Sequence, residues 1–452
     1  MFFRQVLYRD LGCASYVLGD GGEAIVLDPR FDIDIYLDIA REEGLRISHV
    51  VDTHDHADHV SGRSRLAAAT GALAHRPARP QEPREEDLEP GDELTVGDVR
   101  VRALATPGHR PEHIVLAVID DTRSPEPWMV LTGDSLLVGD LARPDLAVEP
   151  DVGAHDLYAS LRALLGLGDH VEVWPGHVGG SLCGGAGLSR KTSSTIGYER
   201  LNDPLLSLDE PTFVDVLTSS VPSRPPNVLH ICTTNMRLDP EEPAEPRLLD
   251  AQEVLAVLDA DVTVLDARNP DAFDRAHIAG ALNLPVAAPA VGTRAGWALR
   301  PEEPVLIAAS DEQDAQAMKR ALHAVGLWNI LGLTLDWNGL PLASERSFGL
   351  RALAEGLREH AVTLVDVREE REWREGHVKG SLHLPLIELG SGRGLPEPQG
   401  AGTIAVACAA GARAAFAASL LRRGGWNEVV RVSDGGVVGL ADLGISLVGG
   451  PN

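Results

Sequence analysis

An internal repeat in the second half of the chain restricts its possible folds more than any other pattern. The segment Val264–Pro285, VLDARNPDAFDRAHIAGALNLP, returns as Leu364–Pro385, LVDVREEREWREGHVKGSLHLP. Aspartate, arginine, histidine, glycine and proline recur at the same offsets, and each copy continues into an apolar strand and then a helical run. Because such a repeat is one structural unit used again, the sequence predicts two tandem α/β domains of the same fold.

The chain is also too long for a single hydrophobic core. Its 452 residues, 44% of them apolar, have an ordinary globular composition from which we expect three domains. Short β-rich runs alternate with helical patterns up to about residue 190, which is an α/β rhythm, and the segment 241–246, EEPAEP, is a candidate linker. We place the domains at residues 1–240, including the linker, 245–342 and 348–452.

The densest cluster of chemically active side chains is Thr53–His59, THDHADH. Imidazole and carboxylate are the usual protein ligands of zinc, iron and manganese. Three more candidates, His109, Asp134 and His177, each follow a predicted strand; singly each could be a turn residue, but the carboxyl ends of neighbouring strands meet at one edge of a sheet. The sequence therefore predicts a metal site at that edge. The position of Asp55 in the loop predicts that its side chain points away from this site.

This arrangement resembles the metallo-β-lactamase superfamily over about residues 1 to 200. The resemblance implies an αββα sandwich, so that the whole chain is α/β, with this sandwich followed by the two repeated domains. It does not fix the reaction, because the superfamily includes zinc hydrolases, flavodiiron proteins and mononuclear iron dioxygenases. The residues that carry it are His54, His56, Asp58, His59, His109, Asp134 and His177.

Three segments are more specifically similar to persulfide dioxygenases: 53–62, THDHADHVSG; 131–140, LTGDSLLVGD; and 142–146, ARPDL. In that family one Fe(II) per domain is held by two histidines and a carboxylate, which the resemblance assigns to His54, His109 and Asp134. Such a triad leaves positions at which a persulfide sulfur and O2 can meet on the metal. Zinc is the alternative metal. The remaining residues surround the iron or form a second metal site: His56, Asp58, His59 and His177.

The segment Thr403–Arg413, TIAVACAAGAR, predicts a strand, a short loop and the start of a helix. The backbone N–H groups of the loop and the helix N-terminus favour a reactive thiolate at Cys408, and Arg413 adds positive charge. A buried structural cysteine is the alternative. Together with the upstream Asp366–Arg368 and Gly376–Gly380 motifs, the segment resembles rhodanese, and its loop has the length found in sulfurtransferases rather than the longer one of related phosphatases.

The first copy of the repeat lacks these groups. Counting back from the tryptophan that ends each helical run places Ser310 opposite Cys408, and Ala315 opposite Arg413. A serine hydroxyl cannot carry a sulfane sulfur, so we expect the middle domain to be a catalytically inactive spacer or scaffold.

Two further residues are candidates for substrate binding. Arg143 lies where persulfide dioxygenases place a cation against the carboxylate of the thiol substrate, which a planar guanidinium suits. The family's usual glycine before this arginine is Ala142 here, and a solvated surface arginine is the alternative. Cys183 matches a cysteine of the rhodanese-fused members of the family, with a buried structural thiol as its alternative.

Charge and composition argue against several partners. The formal charge of -27 opposes binding to nucleic acid or anionic lipid. No apolar run reaches the length of about 18 residues that a membrane helix needs. The four cysteines form no Cys-x-x-Cys pair and suggest free thiols in a reducing compartment. We therefore expect a cytoplasmic homo-oligomer without nucleic-acid or membrane partners.

The domain order resembles bacterial fusion proteins that detoxify sulfide-derived persulfides. The resemblance implies that the iron domain oxidises a low-molecular-weight thiol persulfide with O2 to sulfite and thiol, and that Cys408 passes a sulfane sulfur to sulfite, giving thiosulfate. Two alternatives stay open: a dinuclear zinc thioesterase of the glyoxalase II type and a non-catalytic sulfur carrier. Thioester hydrolysis yields no sulfur for Cys408, which argues against the first, and the intact ligand set argues against the second.

Overall fold

The computed structural model describes residues 1–79, 86–179, 187–219, 221, 224–237, 242–392 and 402–450. The chain forms two compact units. The first contains Met1–Arg224, Val228–Glu242 and Ala324–Gly326, and the second contains Pro225–Asn227, Pro243–His323 and Leu327–Asn452. No helix among the described residues has the length and apolar character needed to cross a membrane.

The first unit holds two sheets in which strands adjacent in sequence lie side by side. One consists of β1 (Phe2–Tyr8), β2 (Cys13–Asp20), β3 (Glu23–Leu27), β4 (Arg46–Val51) and β5 (Leu73–His75). The other consists of β6 (Glu93–Val96), β7 (Val99–Ala105), β8 (Ile114–Asp120), β9 (Met129–Gly133), β10 (Glu172–Pro175) and β11 (Ser194–Thr195). The helices are α1 (Asp34–Glu43), α2 (Arg63–Thr70), α3 (Pro150–Leu165), α4 (Ile196–Asn202), α5 (Glu210–Thr218) and α6 (Val228–Asn235), with a 3-10 turn at Pro204–Ser207.

Three buried clusters arrange these elements in four layers. Leu18 of β2 and Leu116 of β8 belong to the cluster between the sheets. The preceding residue of β2, Val17, points to the other face and packs with Tyr36 of α1, because successive side chains of a strand alternate between faces. Leu157 of α3 packs on the outer face of the second sheet. The expected αββα sandwich is confirmed.

The second unit contains the two copies of the repeat. The first copy is built from α7 (Ala251–Leu258), β12 (Thr263–Asp266), α8 (Pro270–Arg275), β13 (His277–Ile278), β14 (Leu282–Asn283), α9 (Val291–Ala298), β15 (Val305–Ala308), α10 (Glu312–Ala324), β16 (Ile330–Thr334) and β17 (Leu342–Ala343). The second is built from β18 (Ser347–Phe348), α11 (Leu350–Arg358), β19 (Val362–Asp366), α12 (Glu370–Glu375), β20 (His377–Val378), β21 (Leu382–His383), α13 (Leu386–Gly390), β22 (Thr403–Ala407), α14 (Ala412–Arg423), β23 (Val429–Val432), a 3-10 helix Val437–Leu443 and β24 (Leu447–Val448). Each copy has a parallel main sheet, in the orders β14-β12-β15-β16 and β18-β23-β22-β19-β21.

The strand register corrects one expectation about the first copy. The aspartate that ends β12 in the first copy and β19 in the second pairs with the last residue of the neighbouring strand, Ala308 and Ala407 respectively. The residue that corresponds to Cys408 is therefore Ala309, and the expectation of Ser310 is wrong. The middle domain has a methyl group where the other copy has its thiol.

The error arises because the two tryptophans used for counting are not equivalent. The N–H of Trp426 donates to the carbonyl of Leu421, whereas in the first copy it is Leu327, the residue before Trp328, that donates to Leu322. The connection itself has the same length in both copies, because Ile330 follows Leu322 at the same distance along the chain as Val429 follows Leu421, and only the tryptophan is displaced by one residue.

The first turns of the helices correct the second expectation, by two residues rather than one. The N–H groups of Ala315 and Ala415 close the same hydrogen bond in the first turns of α10 and α14. Gln313, rather than Ala315, therefore corresponds to Arg413, and the first copy still lacks the cation.

Candidate active sites

The candidate metal residues of the first unit all follow strand ends. The histidine-rich loop follows β4, Asp134 directly follows β9, and His109 and His177 lie shortly after β7 and β10. His54, His109, Asp134 and His177 are all buried. Four separate segments of the chain therefore deliver polar side chains to one water-poor region.

Three of these residues form a group with the spacing of metal ligands. The ligating atoms of His54, His109 and Asp134 all lie within 4.8 Å of one another. Oδ2 of Asp134 is 3.5 Å from Nε2 of His109 and 3.9 Å from Nε2 of His54. We call these three residues the triad.

Hydrogen bonds fix which imidazole nitrogen of each triad histidine keeps its lone pair. The hydroxyl of Thr53 donates to Asp28, so it accepts from Nδ1 of His54, 3.0 Å away. The backbone carbonyl of Arg143 can only accept, so Nδ1 of His109, 3.1 Å away, also carries its proton. Both rings therefore keep the Nε2 lone pair, and Nε2 of His54 has no hydrogen-bond partner in the described part of the chain. A metal ion fits this set of donor atoms.

Burial and neighbouring charges hold the triad in the protonation states that a metal requires. Burial, reinforced by the neighbouring His56, lowers the pKa of His54 well below its usual value. Burial also lowers the pKa of His109. For Asp134, burial acts to raise the pKa, but the charge and hydrogen bond of His177 outweigh it and bring the pKa to about 2. At neutral pH the triad presents two neutral imidazoles and one carboxylate.

A second group of side chains, Asp58, His59 and His177, lies beside the triad, and Asp58 is hydrogen-bonded to both histidines. His177 lies between two carboxylates, with Nδ1 2.7 Å from Oδ1 of Asp134 and Nε2 3.0 Å from Oδ2 of Asp58. Nδ1 of His59 is 3.0 Å from Oδ1 of Asp58. Burial acts to raise the pKa of Asp58, but His59 and His177 hold it well below its usual value. These side chains satisfy one another, unlike Nε2 of His54.

Cys13 is a member of this second group that sequence reasoning missed. Its Sγ lies 3.1 Å from Oδ2 of Asp58 and 3.5 Å from Nε2 of His177. A β-bridge between Cys13 and His177 brings the two residues together. Because this contact joins residues far apart in the chain, no local pattern could have revealed it.

The other two residues of the histidine-rich loop face different partners. Nε2 of His56 is 3.0 Å from Oδ1 of Asp28, whereas its Nδ1 has no hydrogen-bond partner among the described residues. Asp28, which sequence reasoning also missed, accepts from the backbone N–H of Thr53 as well. Asp55 forms an ion pair with Arg79 and belongs to neither group, in line with its offset in the loop.

Of the two candidate substrate-binding residues, the structure describes only Arg143. The side chain of Arg143 is only 9% exposed, which rules out the solvated surface arginine, and its guanidinium donates to both carboxylate oxygens of Asp145 at 2.7 Å. Its backbone carbonyl orients His109, so Arg143 adjoins the triad through its main chain. Cys183 lies outside the described residues.

In the second unit, Cys408 lies between the end of β22 and the start of α14. It is 2% exposed, and its Sγ accepts from the N–H of Gly411 at 3.0 Å. Gly411 has φ +96°, a conformation that glycine adopts without strain. The loop thus directs a backbone donor at the sulfur, as the sequence predicts.

Arg413 lies beside this loop, and its guanidinium contacts two acidic residues. NH1 and NH2 donate to the two carboxylate oxygens of Glu372 at 2.5 and 2.7 Å. Glu369 lies 4.0 Å from the same guanidinium. The sequence did not indicate this acidic pair, because α12 reaches Arg413 only through the tertiary fold.

Comparison with known families agrees with this architecture. Residues 8–177 match the metallo-beta-lactamase superfamily, and residues 250–340 and 350–442 each match the rhodanese-like domain. The crystal structure of a metallo-beta-lactamase from Staphylococcus aureus subsp. aureus COL superimposes with a TM-score of 0.66 and 28% identity, covering 74% of this chain and 98% of that chain.

Curated proteins of several kinds are similar to about half of the chain. Persulfide dioxygenase ETHE1, mitochondrial, of Bos taurus is 28% identical over 251 residues, covering 54% of this chain and 91% of that protein. Hydroxyacylglutathione hydrolase of Anaeromyxobacter dehalogenans (strain 2CP-C) is 29% identical over 242 residues, covering 46% of this chain and 87% of that protein. The chain consists of a metallo-beta-lactamase superfamily domain followed by two rhodanese-like domains.

Proposed function

We propose that the metallo-beta-lactamase domain is a non-heme Fe(II) persulfide dioxygenase and that the C-terminal domain is a sulfurtransferase that converts its product, sulfite, to thiosulfate. The triad carries the proposal, because two neutral imidazoles and one carboxylate converge while Nε2 of His54 has no other partner among the described residues. The similarity to persulfide dioxygenases and the presence of rhodanese-like domains support it.

The first reaction consumes a low-molecular-weight thiol persulfide, O2 and water, and yields the free thiol, sulfite and two protons. The S–S bond breaks, the outer sulfur is oxidised, and O2 is reduced, so that sulfite holds both atoms of O2 and one from water. Bound Fe(II) would supply the positions at which sulfur and O2 react. Thr53 and the main chain of Arg143 keep the protons of His54 and His109 on Nδ1, which holds both rings in one orientation.

The second reaction takes place at Cys408. Its thiolate attacks the outer sulfur of another persulfide molecule, releases the thiol and carries the sulfur as a cysteine persulfide. Sulfite attacks that sulfur, the S–S bond to Cys408 breaks, and thiosulfate leaves while the thiolate returns. The N–H of Gly411 and the start of α14 stabilise the negative charge at Sγ, and Glu372 orients the guanidinium of Arg413.

For the middle domain we propose a scaffold role without sulfur transfer. Ala309 occupies the position of the nucleophile. Arg431 of β23 makes ion pairs with Asp271 and Asp274 of α8, so the copy without a thiol supports the strand next to the one that leads to Cys408. The cytoplasmic location and the homo-oligomeric state remain predictions.

A dinuclear zinc thioesterase is the second candidate. Two observations favour it: Asp58, His59 and His177 are all present beside the triad, and hydroxyacylglutathione hydrolases are among the similar proteins. One argument counts against it: the products of thioester hydrolysis offer no sulfane sulfur to Cys408.

The test compares anaerobically iron-loaded wild type with Cys408→Ser, using Ala409→Ser, an exposed neighbour in the same loop, as the matched control. Each protein receives a thiol persulfide and O2, and oxygen uptake, sulfite and thiosulfate are recorded. We expect wild type and Ala409→Ser to form thiosulfate, and Cys408→Ser to consume oxygen but stop at sulfite. If none of them consumes oxygen, the dioxygenase assignment fails; if Cys408→Ser still forms thiosulfate, the sulfurtransferase assignment fails.

A further inference from the structure

Helix α6 covers the loop that carries the candidate metal ligands. Val228 and Cys232 of this helix pack with Ala57 of the loop and with Leu146 in one buried apolar cluster. The helix lies beyond residues 8–177, the segment that matches the metallo-beta-lactamase superfamily. Contacts made by this helix are therefore outside the part of the fold that the family match describes.

The last residue of α6, Asn235, is 4% exposed and uses every polar atom of its side-chain amide. Nδ2 donates to the backbone carbonyls of His56 and His59, at 2.9 and 2.8 Å. Oδ1 accepts from the backbone N–H of Ser61 at 2.8 Å. Because the carbonyls only accept and the N–H only donates, these partners fix the orientation of the amide.

A second set of contacts ties Asn235 to both ends of the loop. Its backbone carbonyl accepts from NH2 of Arg63 at 3.0 Å, and NH1 of the same guanidinium is 2.9 Å from Oδ2 of Asp52. Asp52 also accepts from the hydroxyl of Ser61 at 2.8 Å. Asp52 precedes the histidine-rich loop, Thr53–His59, and Ser61 and Arg63 follow it, so hydrogen bonds hold this loop at both ends.

The two carbonyls that Asn235 binds lie on either side of Asp58. One planar amide that spans them sets the distance between them and hence the turn that carries His56, Asp58 and His59. Without this amide, two carbonyls in a buried segment would lose a partner, and the turn would rearrange to find others.

We propose that Asn235 is a positioning residue of the metal centre: its amide holds the turn from His56 to His59 and so fixes the loop from which His54 of the triad reaches the metal. The inference rests on the metal site proposed above. A residue that only stabilised the fold would instead change the melting temperature while leaving metal affinity and coordination geometry as they are.

The test titrates the metal-free full-length protein with Co(II), whose visible absorption reports both affinity and coordination geometry. Asn235→Ala removes all three side-chain hydrogen bonds. Asn235→Asp keeps an acceptor for Ser61 but loses both donors, and it decides the question if the alanine variant is too unstable to purify. Thr233→Ala, at an exposed position of the same helix, is the matched control.

We expect both Asn235 variants to bind Co(II) about 10- to 100-fold more weakly than wild type with a changed absorption band, and Thr233→Ala to behave as wild type. Unchanged affinity and spectrum in Asn235→Ala, with or without a lower melting temperature, would overturn the role of Asn235. Wild-type binding by Asn235→Asp would also overturn it, because the donors would then be dispensable. Failure of wild type to bind Co(II) would refute the metal site itself.

Discussion

At the triad, a hydroxyl and a peptide carbonyl decide which nitrogen of each histidine is available. The hydroxyl of Thr53 accepts a hydrogen bond from Nδ1–H of His54, and the carbonyl of Arg143 accepts one from Nδ1–H of His109. If either acceptor is lost, the ring is free to rotate or to change tautomer and present a proton instead of a lone pair. Groups that do not touch the metal thus contribute to its affinity.

Thr53→Val tests this directly, because valine has nearly the shape of threonine without its hydroxyl. We expect the affinity for Co(II) or Fe(II) to fall about tenfold, since His54 loses its orienting acceptor. A competition titration against a chelator of known affinity measures the change. Ser48→Ala, which removes a buried hydroxyl from β4 that bonds only the carbonyl of Ala24 among the contacts described, should bind metal as wild type does. Equal affinity of Thr53→Val and wild type would contradict the account.

In the C-terminal domain, the planar fork of Arg413 matches the two oxygens of Glu372. Arg413→Lys keeps the positive charge but cannot form both bonds, so we expect kcat/KM for thiosulfate formation to fall about tenfold or more. Arg374→Lys, on the exposed i,i+4 pair with Glu370, should leave the rate unchanged. A wild-type rate in Arg413→Lys would show that charge alone is sufficient.

The sequence was informative about some site residues and silent about others for a physical reason. His54, His109 and Asp134 follow predicted strands, so their convergence at a sheet edge could be predicted from local pattern. Cys13 and Asn235 join the same region only through tertiary contacts, with His177 in one case and with the histidine-rich loop in the other. Nothing in the neighbouring sequence of either residue indicates such a partner.

The sequence predicted the strands of the first unit better than the helices that follow residue 189. The β-rich runs expected before about residue 190 form strands in the structure, among them β3 and β7. The composition between residues 189 and 247 is rich in serine, threonine, proline and charge, yet it contains α4, α5 and α6. There Thr195 and Asp209 act as helix N-caps, accepting from backbone N–H groups, so residues typical of loops begin helices instead.

The loop after β10 packs so closely on the loop after β9 that one added methyl group would not fit between them. A Cβ added at Gly176 would lie 2.7 Å from Oδ1 of Asp134 and 3.1 Å from the carbonyl oxygen of Gly133. We expect Gly176→Ala to displace Asp134 and to weaken metal binding about tenfold or more, as read by metal content after dialysis. Gly402→Ala, where the added methyl meets no atom of the described residues within 4 Å, is the control. Full metal content in Gly176→Ala would contradict this packing argument.

In the whole molecule, side-chain contacts join the two copies of the repeat. Arg431, 3% exposed, donates to Asp274 at 2.8 Å, and the N–H of Asn283 donates to the hydroxyl of Ser419 at 3.1 Å. These contacts join the two copies within the second unit. The two copies are therefore in contact through side chains, and we expect the first copy to stabilise the second.

Removing one side of this buried ion pair should be costly. We expect Arg431→Leu to destabilise the second unit by about 3–5 kcal/mol, because Asp274 is left buried without its partner, and Arg431→Leu with Asp274→Leu to recover most of the loss. Calorimetric unfolding of the full-length protein measures both. Arg346→Leu, which breaks an exposed pair with Glu428, should change stability by at most about 1 kcal/mol. If Arg431→Leu has no larger effect than Arg346→Leu, the copies do not support each other.

The most direct test of the central claim is the stoichiometry of oxygen uptake with a thiol persulfide, measured on iron-loaded wild type and on His109→Ala. We predict that wild type consumes one O2 for each sulfur that appears as sulfite or is trapped from sulfite as thiosulfate, and that His109→Ala retains neither iron nor oxygen uptake. Iron-loaded wild type that consumes no oxygen, while its zinc-loaded form hydrolyses a glutathione thioester, would contradict it.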